Sequence, residues 1–350
     1  MVKSFKNLVI NSKVDSMIKV SAPGNVFFFG EHSVVYERPA IVAAVDMRTY
    51  ASLRERTDGL VVVNSEGYGR VEERLDKLLK LRFEKPSDYR DDMDPIRHLI
   101  SQNGDELADS SGFEIDIRSD IPRKSGGMSS STAVLCAVRG AINRYTGIEM
   151  RLEDYFDSVY PLQVLIHGGK ASGSEITSSS VGGYNLVRID KSGEKARLER
   201  ETLGTHEYKL VIGNTGLEAK TAEAVQQVMA AWERNKIRYE GFFDEIGGIV
   251  KKGKDVLLSG DMVNLGGFMN ENHRILSEEL DVSSHELENL IRTARDAGAY
   301  GAKLSGGGKG GIMIALVDSD TEQKVADAIR GAGGTPYLTT VGVEGLRDES

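Results

Sequence analysis

The chain has one cysteine, Cys136, in 350 residues. No disulfide framework can form within it, which fits a reducing compartment. Long apolar runs are also lacking. The clearest, Ile312 to Val317, is far shorter than the about 20 residues a membrane-spanning helix needs. The first twenty residues, MVKSFKNLVINSKVDSMIKV, hold no continuous apolar segment, so no secretory signal is expected. Positive charge is in deficit. Lys and Arg number 44 against 53 Asp and Glu, a formal net charge of −9, which argues against a general nucleic-acid binder. There is no low-complexity tract and no repeat at a fixed period. The expectation is a cytoplasmic protein without membrane or nucleic-acid partners.

What is present is ordinary for a globular protein: 40% hydrophobic and 28% charged residues. A length of 350 residues suggests about two domains. Segments IKVSA, NVFFF, AIVAAVDM, YASLRER and GLVVVNS read as strands, and GFEIDIRSD alternates as a strand with one wet face. Residues 68 to 110 read as loop with short helix, and the charge run DYRDDMD (88 to 94) as a solvated loop. A buried helix is expected from Ser129 to about Tyr145, with Cys136 in its core face. Another follows over 152 to 167. GGYNLVRID and EYKLVIGNT are strands, and long helical patterns run between 218 and 298. AYGAKLSGGGKGGIMIALVD reads as strand, glycine loop, strand, and a helix follows over 321 to 332. Strands and helices alternate without a βαβ rhythm, so the class is α+β, with residues 1–195 and 196–350 as its two domains.

Glycine is abundant, at 39 residues, and clusters in two places. IPRKSGGMSSSTA (121 to 133) follows a strand and opens a helix. The first N–H groups of a helix lack internal partners and carry positive partial charge, so such a junction binds phosphate readily. Serine and threonine at the same place are also ordinary N-caps, and the residues alone leave both readings open. Lys170 precedes Ala171 and Lys309 precedes Gly310, so neither completes a Walker loop. Gly306 to Gly311 matches G-x-G-x-x-G, but a strand follows where a dinucleotide fingerprint needs a helix.

Three segments together resemble a known family: APGNVFFFGEHSVVYERPAIVAAV (22 to 45), IPRKSGGMSSSTA, and GAKLSGGGKGGIMIAL (301 to 316). In order and spacing they are similar to the GHMP kinases. GEHSVVYERPAI and IHGGKASGSEITSSSVGG (166 to 183) look most like the archaeal-type mevalonate kinase branch. The resemblance implies an N-terminal domain like ribosomal protein S5 domain 2 and a ferredoxin-like C-terminal domain. It implies ATP and Mg2+ as cofactors, and phosphoryl transfer to a small alcohol. Mevalonate leads, with phosphomevalonate or a sugar as alternatives and a non-catalytic ligand-binding homologue as the competing class. A homodimer is compatible with it.

The resemblance also assigns residues. Lys124, Ser125, Gly126, Gly127, Ser129, Ser130 and Ser131 would form the phosphate loop, joined by Gly306, Gly307, Gly308 and Lys309. Glu31, His32 and Ser172 would bind the acceptor, and Ser129 or Ser130 would reach magnesium. Four positions depart from the family pattern. Its APGK lysine is Asn25, its catalytic aspartate is Glu175, its magnesium glutamate is Gln163, and one loop glycine is Met128. Lys124 and Lys309 are gained. They would supply positive charge near the triphosphate and suit a more anionic acceptor. A glutamate for an aspartate moves a carboxylate by one methylene, and a misplacement of about 1 Å can cost about a hundredfold in rate.

Overall fold

AIVAAVDMRTYASLRE, expected as two strands, forms one: β2 (Ala40–Glu55). Its first six residues are all buried, and from Tyr50 onward buried and wetter positions alternate. A fully apolar half implies cover on both faces, and an alternating half implies one face toward water. The computed structural model describes residues 17–122, 126–168, 171, 173–190 and 197–350.

The other strands are β1 (Ile18–Phe29), β3 (Leu60–Ser65), β4 (Gly69–Arg74), β5 (Phe113–Ser119), β6 (Tyr184–Asp190), β7 (Arg197–Gly204), β8 (Tyr208–Asn214), β9 (Gly301–Ser305), β10 (Ile312–Val317), β11 (Thr335–Val341) and β12 (Arg347–Asp348). The helices are α1 (Leu75–Leu78), α2 (Asp94–Gln102), α3 (Gly104–Leu107), α4 (Ser130–Thr146), α5 (Tyr155–Ile166), α6 (Ser174–Ser180), α7 (Thr221–Arg234), α8 (Lys236–Leu257), α9 (Met262–Arg274), α10 (His285–Asp296) and α11 (Glu322–Gly331). This is the α+β class read from the sequence.

The described strands form one sheet in the order β4-β3-β5-β2-β11-β8-β10-β9, with β1 and β6 also paired to β2. Only β3 and β5 run parallel; the other pairs are antiparallel. Pro23 sits inside β1, where it cannot donate to a ladder, and the register with β2 shifts between Pro23 and Gly24. Helix α4 packs on β1 and β2 and buries Leu135, Cys136, Val138, Ala141 and Ile142. Each such leucine or isoleucine contributes about 1.5–3 kcal/mol. Helices α9, α10 and α11 pack against the sheet formed by β8 to β11.

Several elements differ from the sequence reading. β4, β7, β11 and β12 were not expected as strands. The boundary between residues 195 and 196 lies outside the described residues, and β6 and β7 pair in register on either side of it. The DYRDDMD run is not simply solvated. Asp94 is buried, and Asp91 and Asp94 each accept a 2.8 Å bond from Arg97. His98 and His273 lie on helices, and both are buried.

The two halves are joined along one seam. β11 meets β2 at Val341 and Val45, and β12 returns to pair with β1 at Val20 and Ser21. Arg48, 1% exposed, ties this return down. Its Nε donates to Ser21 Oγ (2.7 Å), and its guanidinium also donates to the carbonyls of Ser21, Glu344 and Gly345. Replacing Arg48 with Met removes these four hydrogen bonds from a buried charged donor, each of which contributes about 1.5–3 kcal/mol. The thermal midpoint of Arg48→Met should therefore fall by several degrees, while turnover per folded molecule is kept. An unchanged midpoint in differential scanning calorimetry would contradict this account.

Candidate active site

β1 runs into the turn Gly30-Glu31-His32, and a single 3-10 turn (Ser33–Tyr36) follows. His32 takes a φ of 60°, a conformation that costs a non-glycine residue of order 1 kcal/mol or more. Bonds to the other half of the chain hold the turn, the first from the Gly30 N–H to Asn272 Oδ1 (3.4 Å). His32 Nε2 lies 3.0 Å from the carbonyl of Gly307, and Glu31 pairs with Lys303. A carbonyl only accepts, so Nε2 carries the proton. Burial pushes the His32 imidazole down to about 4, so the ring is neutral and Nδ1 keeps its lone pair.

Glu31 and Lys303 are both buried. Lys303 Nζ also donates to the Leu304 carbonyl (2.7 Å). Burial pushes the Glu31 carboxyl up and the Lys303 ammonium down, and their mutual attraction opposes both shifts. Glu31 Oε2 has no hydrogen-bond partner.

The phosphate-loop segment arrives from β5. Lys124 and Ser125 lie outside the described residues, as does Ser172. Gly126, Gly127 and Ser129 all take positive φ. No side chain caps α4. The Ser129 hydroxyl, a capping candidate by sequence, instead donates to Asn25 Oδ1 (3.0 Å). The capping alternative therefore fails at this residue. Ser130 and Ser131 occupy the first turn of the helix. Met128, where the family has glycine, points into the apolar core at 1% exposure and does not crowd the loop.

The two glycine segments lie backbone against backbone. A Cβ on Gly127 would come within 2.9 Å of the Ser305 carbonyl oxygen, and one on Gly307 within 2.5 Å of Thr221 Oγ1. The Ser305 hydroxyl donates to the Phe27 carbonyl (3.2 Å). Glycine is required here for close approach. Gly308 packs beside Val282. Lys309, at φ 56°, sets its ammonium 3.4 Å from Asp281.

Asn25 is buried and fully used. Its Nδ2 lies 3.3 Å from both the Glu175 carbonyl and Ser179 Oγ. It thereby links the first turn of α6 to the start of α4 through Ser129. Glu175 sits in that first turn, with the Ser174 hydroxyl 3.1 Å from Oε2. Gln163 is fully buried, its Oε1 3.0 Å from His167 Nε2.

These parts surround a cleft of about 420 Å³ lined by Glu31, His32, Gly126, Gly127, Ser129, Ser131, His167, Glu175, Gly306 and Gly307. Val34, Val35 and Val225 give it an apolar wall. Ser131 also borders a second hollow, of about 380 Å³, with Tyr68, Tyr89, Ile96, Val134 and Leu135. Gln163, Gly308 and Lys309 are not in the lining of either. Sequence reasoning missed Lys303, Thr221, Val225 and the two tyrosines. Lys303 had a signal: it lies in GAKLS, whose other side chains are small or apolar, so a buried strand demands a carboxylate for it. Among the described residues, no group of three or more His, Cys, Asp or Glu side chains could hold a metal ion.

The family model "GHMP kinases N terminal domain" matches residues 96–183, and "GHMP kinases C terminal" matches 254–334. The chain is 35% identical to the mevalonate kinase of Pyrococcus abyssi, over 95% of this chain and 98% of that one. It is similar to the crystal structure of L. major mevalonate kinase in complex with R-mevalonate, with TM-score 0.77, 26% identity, and 96% and 98% of the two chains covered. The Methanococcus jannaschii mevalonate kinase shares the fold at TM-score 0.77 and 23% identity, over 93% of this chain and 98% of that one. With a relative of this identity matched almost end to end, the chain belongs to the GHMP kinases, ATP-dependent phosphotransferases that act on alcohols.

Proposed function

We propose that the chain transfers the γ-phosphoryl group of ATP to the hydroxyl of mevalonate. One observation carries the reading. Glu31, His32, Glu175 and the uncapped start of α4 share one cleft, part of whose wall, Val34, Val35 and Val225, is apolar. Such a wall suits an acceptor with an alkyl body better than a sugar, which presents hydroxyls on every side. The relatives named mevalonate kinase support the same acceptor.

ATP supplies the phosphoryl group and carries the leaving ADP. The N–H groups at the start of α4, with Gly126 and Gly127 bare of side chains, suit the phosphates. The hollow beside Tyr68 and Tyr89 suits the base. The transition state spreads charge over oxygens, so positioning and electrostatics supply most of the rate. Glu175 would orient the acceptor hydroxyl and take its proton as the bond to phosphorus forms. Asn25 does not replace the charge of a lysine. It would act through geometry, by fixing the Glu175 turn to Ser129. His32 would accept a hydrogen bond at Nδ1.

Magnesium fits this chain only as a cation brought by the nucleotide, with Ser129 or Ser130 offering a hydroxyl. Mg2+ commonly keeps waters and substrate phosphates as its ligands. Gln163 is neutral, fully buried, and already bonded to His167, which favours a supporting role beneath that ring. A more anionic acceptor gains nothing from Lys309, whose ammonium lies on Asp281.

A panel of mevalonate, phosphomevalonate, galactose, homoserine and shikimate with ATP tests the acceptor. Mevalonate should give the highest kcat/KM by ADP release, and a higher value for any other alcohol would displace it. Glu175→Gln should lower kcat by about 10²–10⁴-fold while ATP affinity by calorimetry stays near wild type. Near-normal turnover would move the carboxylate role to Glu31. His32→Ala should raise the acceptor KM and leave the ATP KM nearly intact. Because His32 stays neutral down to about 4, the wild-type acceptor KM should show no step near pH 6.5, the ordinary histidine value. A step there that vanishes in His32→Ala would show that the ring titrates normally.

A further inference from the structure

Lys303 is fully buried in the middle of β9, between Ala302 and Leu304. A buried ammonium is costly unless it is paired. Its one ion-pair partner among the described residues is Glu31, 272 positions away in the turn at the cleft. A buried ion pair is weak evidence for stability, because desolvation offsets much of the attraction. Its location is more informative. Glu31 lines the cleft and directly precedes His32, whose backbone is held at φ 60°.

The strand that carries Lys303 is itself held from behind. The Ala302 N–H donates to Asn270 Oδ1 (3.0 Å) and Arg295 donates to the Ala302 carbonyl (2.6 Å). The Leu304 N–H approaches His273 Nδ1 (3.5 Å), and His273 Nε2 lies 3.0 Å from Glu288 Oε1. Lys303 is thus a fixed post, and Glu31 is the group moored to it.

We propose that Lys303 is a positioning residue for the acceptor. By holding Glu31 Oε1, it fixes the Glu31-His32 turn against the third glycine motif and so sets where His32 meets the alcohol. The second mooring, His32 to the Gly307 carbonyl, comes from the same motif. Both moorings hold the Glu31-His32 turn itself, whereas the segment before α4 meets the third motif separately, at Gly127. This rests on the assignment of Glu31 and His32 to the acceptor.

A double-mutant cycle tests it, with kinetics normalised to folded protein. Lys303→Met should raise the acceptor KM about tenfold or more, with the ATP KM within about twofold of wild type. Glu31→Gln should do the same. The double variant E31Q/K303M removes both charges and should match Glu31→Gln alone, because Lys303 then has nothing left to hold. If Lys303→Met fails to fold because an uncompensated carboxylate is left buried, the comparison of Glu31→Gln with the double variant still decides. A further loss of more than about threefold in the double variant overturns the proposal. So does a lowered thermal midpoint with unchanged acceptor KM, or an equal rise in both substrates' KM. The acceptor used is whichever alcohol the wild type phosphorylates fastest. A failure with mevalonate would then overturn the substrate assignment alone and leave the comparison intact.

Discussion

The cleft exists because two glycine backbones touch. A Cβ on Gly127 would come within 2.9 Å of the Ser305 carbonyl oxygen and one on Gly306 within 3.2 Å of Gly127 Cα, so the segments leave little room for a side chain between them. Contact at backbone distance lets loops from opposite halves share one floor. It also explains why the third motif is so rich in glycine without being a dinucleotide fingerprint. Its glycines admit neighbouring chain.

Around that contact the chain uses polar ties more than apolar bulk. Asn25 joins α6 to Ser129 before α4, Ser305 joins β9 to β1, and His32 joins the turn after β1 to Gly307. Each has short reach and defined direction, which apolar packing lacks. A site that must place a hydroxyl, a carboxylate and a phosphoryl group within a few tenths of an ångström needs such ties. Asn25 grips the backbone of Glu175, a carboxylate that lines the cleft.

Much of this was legible beforehand, and the reasons are local. α4 announces itself by an apolar face behind a hydroxyl-rich start, and β10 by six consecutive apolar residues. β7 and β11 were hidden because RLERETLG carries charge at positions 197, 199, 200 and 201, and TPYLTTV has proline as its second residue and is mostly half-exposed. β12 is two residues long and needs a partner more than 300 positions earlier. In the site, Glu31, His32, Ser129 and Glu175 do meet. Lys303 was overlooked while Lys309 drew attention, because a lysine among glycines looks exposed to ligand. What decided the matter was which carboxylate each lysine faces, Glu31 or Asp281, and periodicity does not encode that.

The return of the chain to its beginning has a consequence for biosynthesis. β1 gains its β12 partner, and Arg48 its Glu344 and Gly345 carbonyls, only when residues 344 to 348 have left the ribosome. Contacts of such long sequence separation form late and slow folding. The nascent N-terminal half therefore waits with an open strand edge and a buried guanidinium short of acceptors. During that interval it is most exposed to aggregation and most dependent on chaperones.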